Sequence, residues 1–377
     1  MSMQAALRLF YHRGLYDGER TEGLFVRAMR ENVEHHRAHC PAYAEILNRQ
    51  GFSPDRIRTA ADLCEIPPLP TLFLKRHTLL STDKKLHLTS TTSGTSGQVS
   101  RMGLDWPSMW RGLGMVLGTV CGHKLLSPRP TNFVVLGYQP AKHNQIGAAK
   151  TAYAVTYTAP AIHRVYALRD TGNGYELNLD GLKEALISFE KSGRPVRLMG
   201  FPSYFFFLLR ELQRDGVRLR LHRKSLVILA GGWKQFLTDQ VEKPALYALS
   251  KEVLGIGEER IREFFGAVEH PIAYADCPHH HFHVPIYSRV IIRDERLHPV
   301  GYGTPGLLNL LTPMMTSMPF SSVITDDLAV LYPGEACGCG IRTPYFEVLG
   351  RVGLAGIRTC AAGASELLSV LQKGGAG

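Results

Sequence analysis

The chain has few cysteines and no long apolar run, and these absences narrow where it can work. Seven cysteines in 377 residues are too few for a disulfide scaffold, so we expect reduced thiols. Residues 1–20 mix basic, acidic and apolar side chains and offer no signal-peptide core. The most apolar window, 201–209, is far shorter than the roughly 20 residues that span a bilayer. The sequence therefore predicts a cytoplasmic protein without a transmembrane segment.

Internal repeats and low-complexity tracts are also missing, which leaves ordinary globular folding. With 45% hydrophobic residues the chain can bury one large core or two. Its net charge of +10 favours anionic partners such as nucleotides or acidic carrier proteins. The basic stretch 210–224 lacks the interleaved aromatic and glycine residues of a nucleic-acid module, so we expect no nucleic-acid partner.

A dense alternation of hydroxyl and glycine residues is the most distinctive stretch, and it consists of Thr92, Ser93, Gly94, Thr95, Ser96 and Gly97. Its backbone N–H groups can turn toward one centre while the hydroxyls add donors, which suits a phosphate chain. A solvated linker has a similar composition and is the alternative. Neither proline nor charge interrupts the run, which favours a phosphate-binding loop.

Apolar spacing predicts the elements around this loop. Residues 22–50 predict two helices, with Pro41 in the first turn of the second. The proline-rich segment 66–70 predicts the end of regular structure and an extended chain past Phe73. Residues 106–117 predict a helix that turns its Met, Trp and Leu side chains toward the core.

The middle of the chain alternates buried-strand patterns with helix-like segments, which predicts an α/β fold with a parallel sheet. The strand patterns fall at 133–137, 196–200 and 225–230. Ligands bind beyond the carboxyl ends of such strands, where Gly231 and Gly232 follow the third one. The aromatic run 204–207 belongs either to the core or to the wall of an acyl pocket.

Short strands without helices follow residue 285, as in a small β-barrel or curled sheet. They are predicted at 288–293, 306–311, 321–325 and 328–332. The predicted organisation is a helical region at 1–80, an α/β core with the phosphate loop at 81–284, a small β-barrel region at 285–350 and a tail at 351–377.

Cysteine and histidine residues from two distant segments suggest a metal site. Cys277 precedes the run 279–281 and His283, and Cys337 and Cys339 lie near the end of the barrel region. Four such ligands suit tetrahedral Zn²⁺. Histidines that simply satisfy local hydrogen bonds are the alternative.

Four motifs in order resemble those of the adenylate-forming superfamily, which joins carboxylates to AMP. They are the loop 92–97, the aromatic-Gly-x-Thr-Glu-like 265–269, the Thr-Gly-Asp-like 325–327 and the Gly-Arg-like 350–351. Finer features at 66–75, 230–234 and 337–340 resemble the acyl-protein synthetase (LuxE-type) family, with phenylacetate-CoA ligases as relatives. The resemblance covers essentially the whole chain.

The resemblance implies a fold and an activity. The fold is the large domain of the superfamily without its mobile small domain, because only residues 352–377 follow Arg351 and about 40 are needed for an independent fold. The activity is ATP-dependent conversion of a carboxylic acid, expected to be fatty, into an acyl-adenylate. The acyl group then passes to a protein thiol, such as that of an acyl reductase or carrier protein.

The resemblance also implies residue roles. ATP would be bound by the loop 92–97 together with Gly231, Gly232, Phe265, Gly266, Asp327 and Arg351, of which the last two hold the ribose. Glu269 would coordinate Mg²⁺, a hard cation that prefers carboxylate oxygen. Two residues depart from the superfamily pattern: Ser100 replaces a lysine, and Val268 replaces a threonine that contacts the nucleotide.

Two further roles follow from related ligases. Their Cys, His, Cys-x-Cys set implies a structural zinc held by Cys277, His283, Cys337 and Cys339, with His281 as the second candidate. Cys360 corresponds to the cysteine near the C-terminus that is thought to carry the acyl group. Thr359 can cap a helix there, which would place the thiol in its first turn and lower its pKa.

Other functions remain open at this point. An acid–CoA ligase would need a partner to supply the missing lysine domain. A non-catalytic module that binds adenylates would explain Val268.

Overall fold

The computed structural model describes residues 4–82, 86–91, 101–141, 147–233, 236 and 239–351. The predicted phosphate loop at 92–97 and Cys360 lie outside these ranges. The chain divides into a first unit, Met1–Ser90, Gln98–Gly122 and Gly266–Gly377, and a second unit, Thr91–Gly97 and His123–Phe265.

The helices of the described residues are α1 (Gln4–Phe10), α2 (Gly18–His39), α3 (Pro41–Arg49), α4 (Thr71–Arg76), α5 (Trp106–Gly122), α6 (Gly147–Val155), α7 (Leu179–Lys191), α8 (Pro202–Arg214) and α9 (Lys243–Leu254). The strands are β1 (Leu69–Pro70), β2 (Leu88–Thr91), β3 (Arg101–Leu104), β4 (Thr131–Tyr138), β5 (Ala161–Asp170), β6 (Tyr175–Leu177), β7 (Val196–Gly200), β8 (Leu226–Ala230), β9 (Ile261–Ala267), β10 (His270–Ala275), β11 (Phe282–His283), β12 (Arg289–Arg293), β13 (Gly306–Leu311), β14 (Ser322–Tyr332) and β15 (Tyr345–Arg351).

The first unit confirms the predicted pair of N-terminal helices. α2 buries Phe25, Met29 and Val33 along one side, as the apolar spacing requires. α3 begins with Pro41 in its first turn, where a missing N–H costs nothing.

Two local predictions were wrong. The chain does not run extended as it passes Phe73, because Pro70 ends β1 and α4 starts at once, so that Phe73 and Lys75 lie on a short helix. α5 exists, but it turns Trp106 and Trp110 outward. The reason is that its inner side is tied by polar contacts: Arg111 Nη1 donates to the carbonyl oxygen of Met314 at 3.0 Å.

The sheet of the first unit has the strand order β11-β15-β14-β13-β12, and β1 pairs parallel with β14. The pairs β12–β13, β13–β14, β14–β15 and β11–β15 are antiparallel. β13 has the bounds that its apolar run predicts. The two strands predicted at 321–325 and 328–332 are one strand, β14, so the Thr325–Asp327 segment lies inside a strand and not at a turn.

The second unit confirms the predicted parallel sheet. Its strands follow the order β9-β8-β7-β4-β5-β6, with parallel pairing from β9 to β5 and an antiparallel β6. Alternate residues of β4 enter two cores: Val134 and Leu136 pack toward α7, α8 and α9, and Phe133 and Val135 pack toward α6. Burial on both faces explains the continuous apolar runs.

Among the described residues, no helix is both long and apolar enough to cross a membrane.

Candidate active site and metal centre

The Thr-Asp-Asp and Gly-Arg segments meet on neighbouring strands of the first unit. Asp327 of β14 lies directly opposite Arg351 of β15 in the antiparallel register. Arg351 Nε donates to Asp327 Oδ1 at 3.1 Å, although the two residues are 24 positions apart. Asp327 also has its backbone N–H bonded to Thr325 Oγ1 at 3.2 Å. This pairing fixes an acidic side chain beside an exposed guanidinium.

Asp326, the neighbour of Asp327, has a different cationic partner. Its Oδ2 lies 3.9 Å from Lys75 Nζ, and both side chains are largely buried. Lys75 reaches this place because β1 runs parallel to β14 and α4 follows β1 directly. The sequence shows Lys75 only as a residue near a proline-rich segment, since a contact across about 250 positions leaves no local signal.

Glu269 lies in the two-residue turn between β9 and β10, and it is buried. Gly266, three residues earlier, packs so closely that a Cβ there would lie 3.1 Å from the carbonyl oxygen of Ile272. Asp327 raises the pKa of Arg351, and Asp326 and Glu269 raise it further. Residues of three of the four resembling motifs therefore lie close enough for their charges to interact.

A buried polar triad that the sequence analysis missed follows Glu269 immediately. His270 Nε2 bonds the hydroxyl of Tyr274 at 2.8 Å, and that hydroxyl bonds Ser288 Oγ at 2.5 Å. Burial lowers the pKa of His270 to about 3, so the imidazole is neutral. The triad anchors the start of β10 and with it the turn that carries Glu269. A single histidine in an apolar strand gives no signal of such a network.

The second unit places glycines where ligands approach parallel strands. Gly231 and Gly232 follow β8 with φ of +86° and +67°, which favours glycine. Gly200 ends β7 with φ of +138°, and a Cβ there would collide with the carbonyl of Leu136. These positions lie at the carboxyl ends of strands, as predicted.

The aromatic run 204–207 divides between core and surface. Phe205 is fully buried in the core. Tyr204, Phe206 and Phe207 are partly buried and form a ring cluster with Trp233 and Phe236, with centroids 5.0–6.0 Å apart.

The four predicted metal ligands, Cys277, His283, Cys337 and Cys339, come together in the first unit. Their ligand atoms all lie within 4.8 Å of one another. Cys277 Sγ is 3.5 Å from Cys337 Sγ, and Cys339 Sγ is 3.2 Å from His283 Nε2. His283 Nδ1 bonds the carbonyl oxygen of Thr343 at 2.7 Å, which directs Nε2 toward the sulfurs, as in metal-binding histidines.

The histidine run has other partners. His280 Nδ1 bonds Asp276 Oδ2 at 2.6 Å, and His279 Nδ1 bonds the carbonyl oxygen of Cys337 at 2.7 Å. His281 lies close, with Nδ1 at 3.1 Å from Cys337 Sγ, but its Nε2 pairs with Glu347 at 3.3 Å. Burial lowers the pKa of His283 and raises that of the Cys337 thiol to about 12. The four clustered ligands, Cys277, His283, Cys337 and Cys339, fit a tetrahedral zinc ion.

The chain has the fold of the adenylate-forming ligases. A 2-hydroxyisobutyryl-CoA ligase, solved in an open conformation with its acyl-AMP and CoA, superposes with a TM-score of 0.68 at 16% identity, covering 92% of this chain and 78% of that one. A long-chain-fatty-acid–CoA ligase from Archaeoglobus fulgidus gives a TM-score of 0.50 at 14% identity, covering 80% and 56%.

The particular family follows from sequence comparison. Residues 15–369 match the family described as acyl-protein synthetase, LuxE, and the chain belongs to it. A long-chain-fatty-acid–luciferin-component ligase from Vibrio harveyi is 24% identical over 362 residues, covering 93% of this chain and 90% of the relative. The predicted family and fold class are confirmed. The protein is an ATP-dependent acyl-protein synthetase that forms an acyl-adenylate and passes the acyl group to a protein thiol.

Proposed function

We propose that the acid activated by this enzyme is a long-chain fatty acid and that the residues of the first unit described above hold the nucleotide. The observation that carries the nucleotide site is the ion pair between Asp327 and Arg351, whose Nε and Oδ1 atoms lie 3.1 Å apart on neighbouring strands. The name of the Vibrio harveyi relative supports the class of acid. The partly buried aromatic cluster of the second unit supports an apolar acyl site, because such sites are lined mainly by apolar and aromatic side chains.

Each residue has a distinct task in the first half-reaction. Asp327 accepts the two ribose hydroxyls, and Arg351 holds its carboxylate in place while contacting the ribose. The loop 92–97 cradles the phosphates, helped by Gly231 and Gly232, whose exposed backbone can approach a ligand. Phe265 and Gly266 belong to β9, the strand that leads into the turn carrying Glu269. The fatty acid carboxylate attacks the α-phosphorus, and pyrophosphate leaves.

Glu269 is the proposed Mg²⁺ ligand. It occupies the position of the acidic residue in the family's aromatic-Gly-x-Thr-Glu motif, and it is a buried carboxylate in the turn between β9 and β10, the kind of oxygen ligand that a hard divalent cation prefers. Mg²⁺ held there would supply positive charge that offsets the negative charge of the phosphates.

Cys360 is the proposed first acceptor. Its thiolate attacks the acyl carbonyl, the C–S bond forms, the C–O bond to the phosphate breaks, and AMP leaves. The thiol proton passes to solvent. A partner protein such as an acyl reductase or an acidic carrier then takes the acyl group by thiol exchange, and the net charge of +10 favours an acidic one.

Zinc is the proposed occupant of the site formed by Cys277, His283, Cys337 and Cys339. Its role is structural, because β11 carries His283 and pairs with β15, and the Cys337–Cys339 turn precedes β15. We propose a cytoplasmic location because none of the described cysteines forms a disulfide.

Two linked assays test these proposals. Fatty-acid-dependent exchange of labelled pyrophosphate into ATP should occur in the wild type and be lost in Glu269→Gln. Incubation with ATP and labelled fatty acid should leave a hydroxylamine-sensitive label on the chain. Cys360→Ser should abolish this label while exchange stays near wild type.

Three outcomes would contradict the proposal. Exchange with short or aromatic acids only would exclude the fatty acid. A labile label that persists in Cys360→Ser would assign the acceptor role to another cysteine. The matched control for Cys360→Ser is Cys121→Ser, which removes an exposed thiol elsewhere in the chain. Rapid transfer to coenzyme A without any protein label would favour the acid–CoA ligase alternative.

A further inference from the structure

Helix α5 presents an apolar face to solvent, contrary to the usual arrangement. Trp106 and Trp110 are 55% and 54% exposed, and Leu113, Val116 and Leu117 are each more than 40% exposed. Tyr11, which bonds the backbone of Trp110, and Leu7 of the preceding helix α1 are also exposed apolar residues. Arg111 is the one charged residue of α5, every residue of which is described, and it is 4% exposed.

The inner side of α5 is polar, so the helix cannot turn its apolar face inward. Ser108 Oγ bonds Asp105 Oδ1 at 2.5 Å and Thr119 Oγ1 bonds the hydroxyl of Tyr287 at 3.0 Å. Gly114 faces α1 so closely that a Cβ would lie 2.6 Å from the carbonyl oxygen of Phe10. The hydroxyl of Tyr11 donates to the carbonyl oxygen of Trp110 at 3.0 Å. α5 is held rigidly with its apolar face outward.

The exposed residues have the spacing of a helix–helix seam. Trp106, Trp110, Leu113 and Leu117 follow each other by four, three and four positions, which is the a/d pattern of a coiled coil. These four positions are symmetric about the midpoint between residues 111 and 112. An antiparallel copy of α5 would therefore place Trp106 against Leu117 and Trp110 against Leu113, pairing large with smaller side chains.

The size of the patch suits a dimer. With about 150–250 Å² for each aromatic side chain and the exposed fractions above, the seven residues expose roughly 700 Å². This exceeds the largest patch of a typical monomer and approaches the roughly 800 Å² that each partner contributes to a standard interface. The seam itself carries no charged side chain, so no like charges are brought into direct contact when it pairs.

We propose that two copies of this chain form a two-fold dimer through antiparallel packing of their α5 helices. Sedimentation velocity of the full chain, from nanomolar to tens of micromolar, should give twice the 41.9 kDa monomer mass. Trp110→Glu and Leu113→Glu should weaken the dimer by at least about 100-fold, since each buries an unpaired charge. Leu177→Glu, at a position 55% exposed in the second unit, is the matched control and should stay dimeric.

Because the substituted positions face solvent in a single chain, the variants should keep the wild-type far-UV spectrum, and their melting temperature should match that of wild type diluted until it is monomeric. Wild type that is monomeric throughout, or Leu113→Glu that remains dimeric, would overturn the proposal. Cross-linking tests the direction of the helices. Two Leu113 positions in the antiparallel pair are offset by about 4.5 Å along the axis, and two Cys121 positions by about 28 Å.

Leu113→Cys in a Cys121→Ser background should therefore form a disulfide-linked dimer when oxidised with copper phenanthroline. Wild-type Cys121 should not cross-link to its counterpart. Efficient Cys121 cross-linking without Leu113→Cys cross-linking would overturn the antiparallel arrangement.

Discussion

Replacing Asp327 with asparagine separates nucleotide binding from the rest of the reaction. The substitution keeps the shape of a residue that is 7% exposed but removes the charge that Arg351 contacts and that the proposed ribose site requires. We expect the KM for ATP to rise while kcat for pyrophosphate exchange changes little, because the ribose contact is the same in the ground and transition states.

The expected magnitude follows from one lost hydrogen bond. A hydrogen bond to a charged group contributes about 1.5 kcal/mol at the lower end, and the asparagine oxygen can still accept one ribose hydroxyl while its NH2 group cannot accept the other. One lost bond weakens ATP binding by about 1.5 kcal/mol, which corresponds to a KM about 10-fold higher. Stability should fall by no more than about 1 kcal/mol, because the Arg351 side chain is 68% exposed and solvent screens the pair.

Asp326→Asn is the matched control, one residue away on the same strand. Its carboxylate pairs with Lys75, and the two side chains are only 11% and 14% exposed. Removing it leaves a nearly buried ammonium without that partner, so we expect about 2 kcal/mol lower stability and a melting temperature several degrees lower. Its KM for ATP should stay within about threefold of wild type, or roughly 0.6 kcal/mol.

Exchange kinetics at varied ATP and thermal unfolding of both variants give the comparison. The reasoning fails if Asp326→Asn raises the KM for ATP as much as Asp327→Asn does, since the assignment of the ribose to Asp327 alone would then be wrong.

Two further predictions concern the metal centre and the buried triad. Cys339→Ser should reduce zinc from near one per chain to near none and lower the melting temperature, because metal affinity contributes directly to folding free energy. Elemental analysis measures the zinc content, and Cys64→Ser, outside the cluster, is the control. Metal-free wild type purified without chelator would contradict the prediction. His270 has a folded pKa of about 3 against 6.5, so the unfolded state binds the extra proton and the free energy of unfolding should fall by up to about 1.4 kcal/mol per unit as pH drops from 6.5 toward 3. Urea melts at pH 7 and 5 should show a smaller loss in His270→Phe, and an equal loss would refute the role of this imidazole.

Much of the architecture can be predicted from local sequence patterns. β7 and β13 have the bounds that their apolar runs predict, and α3 begins at the proline that favours a first turn. These features depend on the side-chain period of an element and on backbone preferences, which act over a few residues. The order of the motifs likewise identified the family that the comparison of residues 15–369 confirms.

The metal site shows what local sequence patterns cannot predict, namely which of two neighbouring histidines is the metal ligand. His281 and His283 are two residues apart, so strand alternation places both on one face and cannot choose between them. Only the folded chain brings the Thr343 carbonyl to His283 and Glu347 to His281. The candidate zinc ligand is thus decided by partners about 60 residues away in the sequence.

The sequence by itself determined that α5 is a helix with an apolar stripe, since periodicity states which residues share a face. Tertiary structure decided which face is inside. Asp105, Met314 and Tyr287 supply hydrogen bonds to its polar side, and burying those groups without partners would cost more than exposing the tryptophans. The same reason places Lys75 beside Asp326: a buried charge selects its partner through space, and no spacing along the chain records that choice.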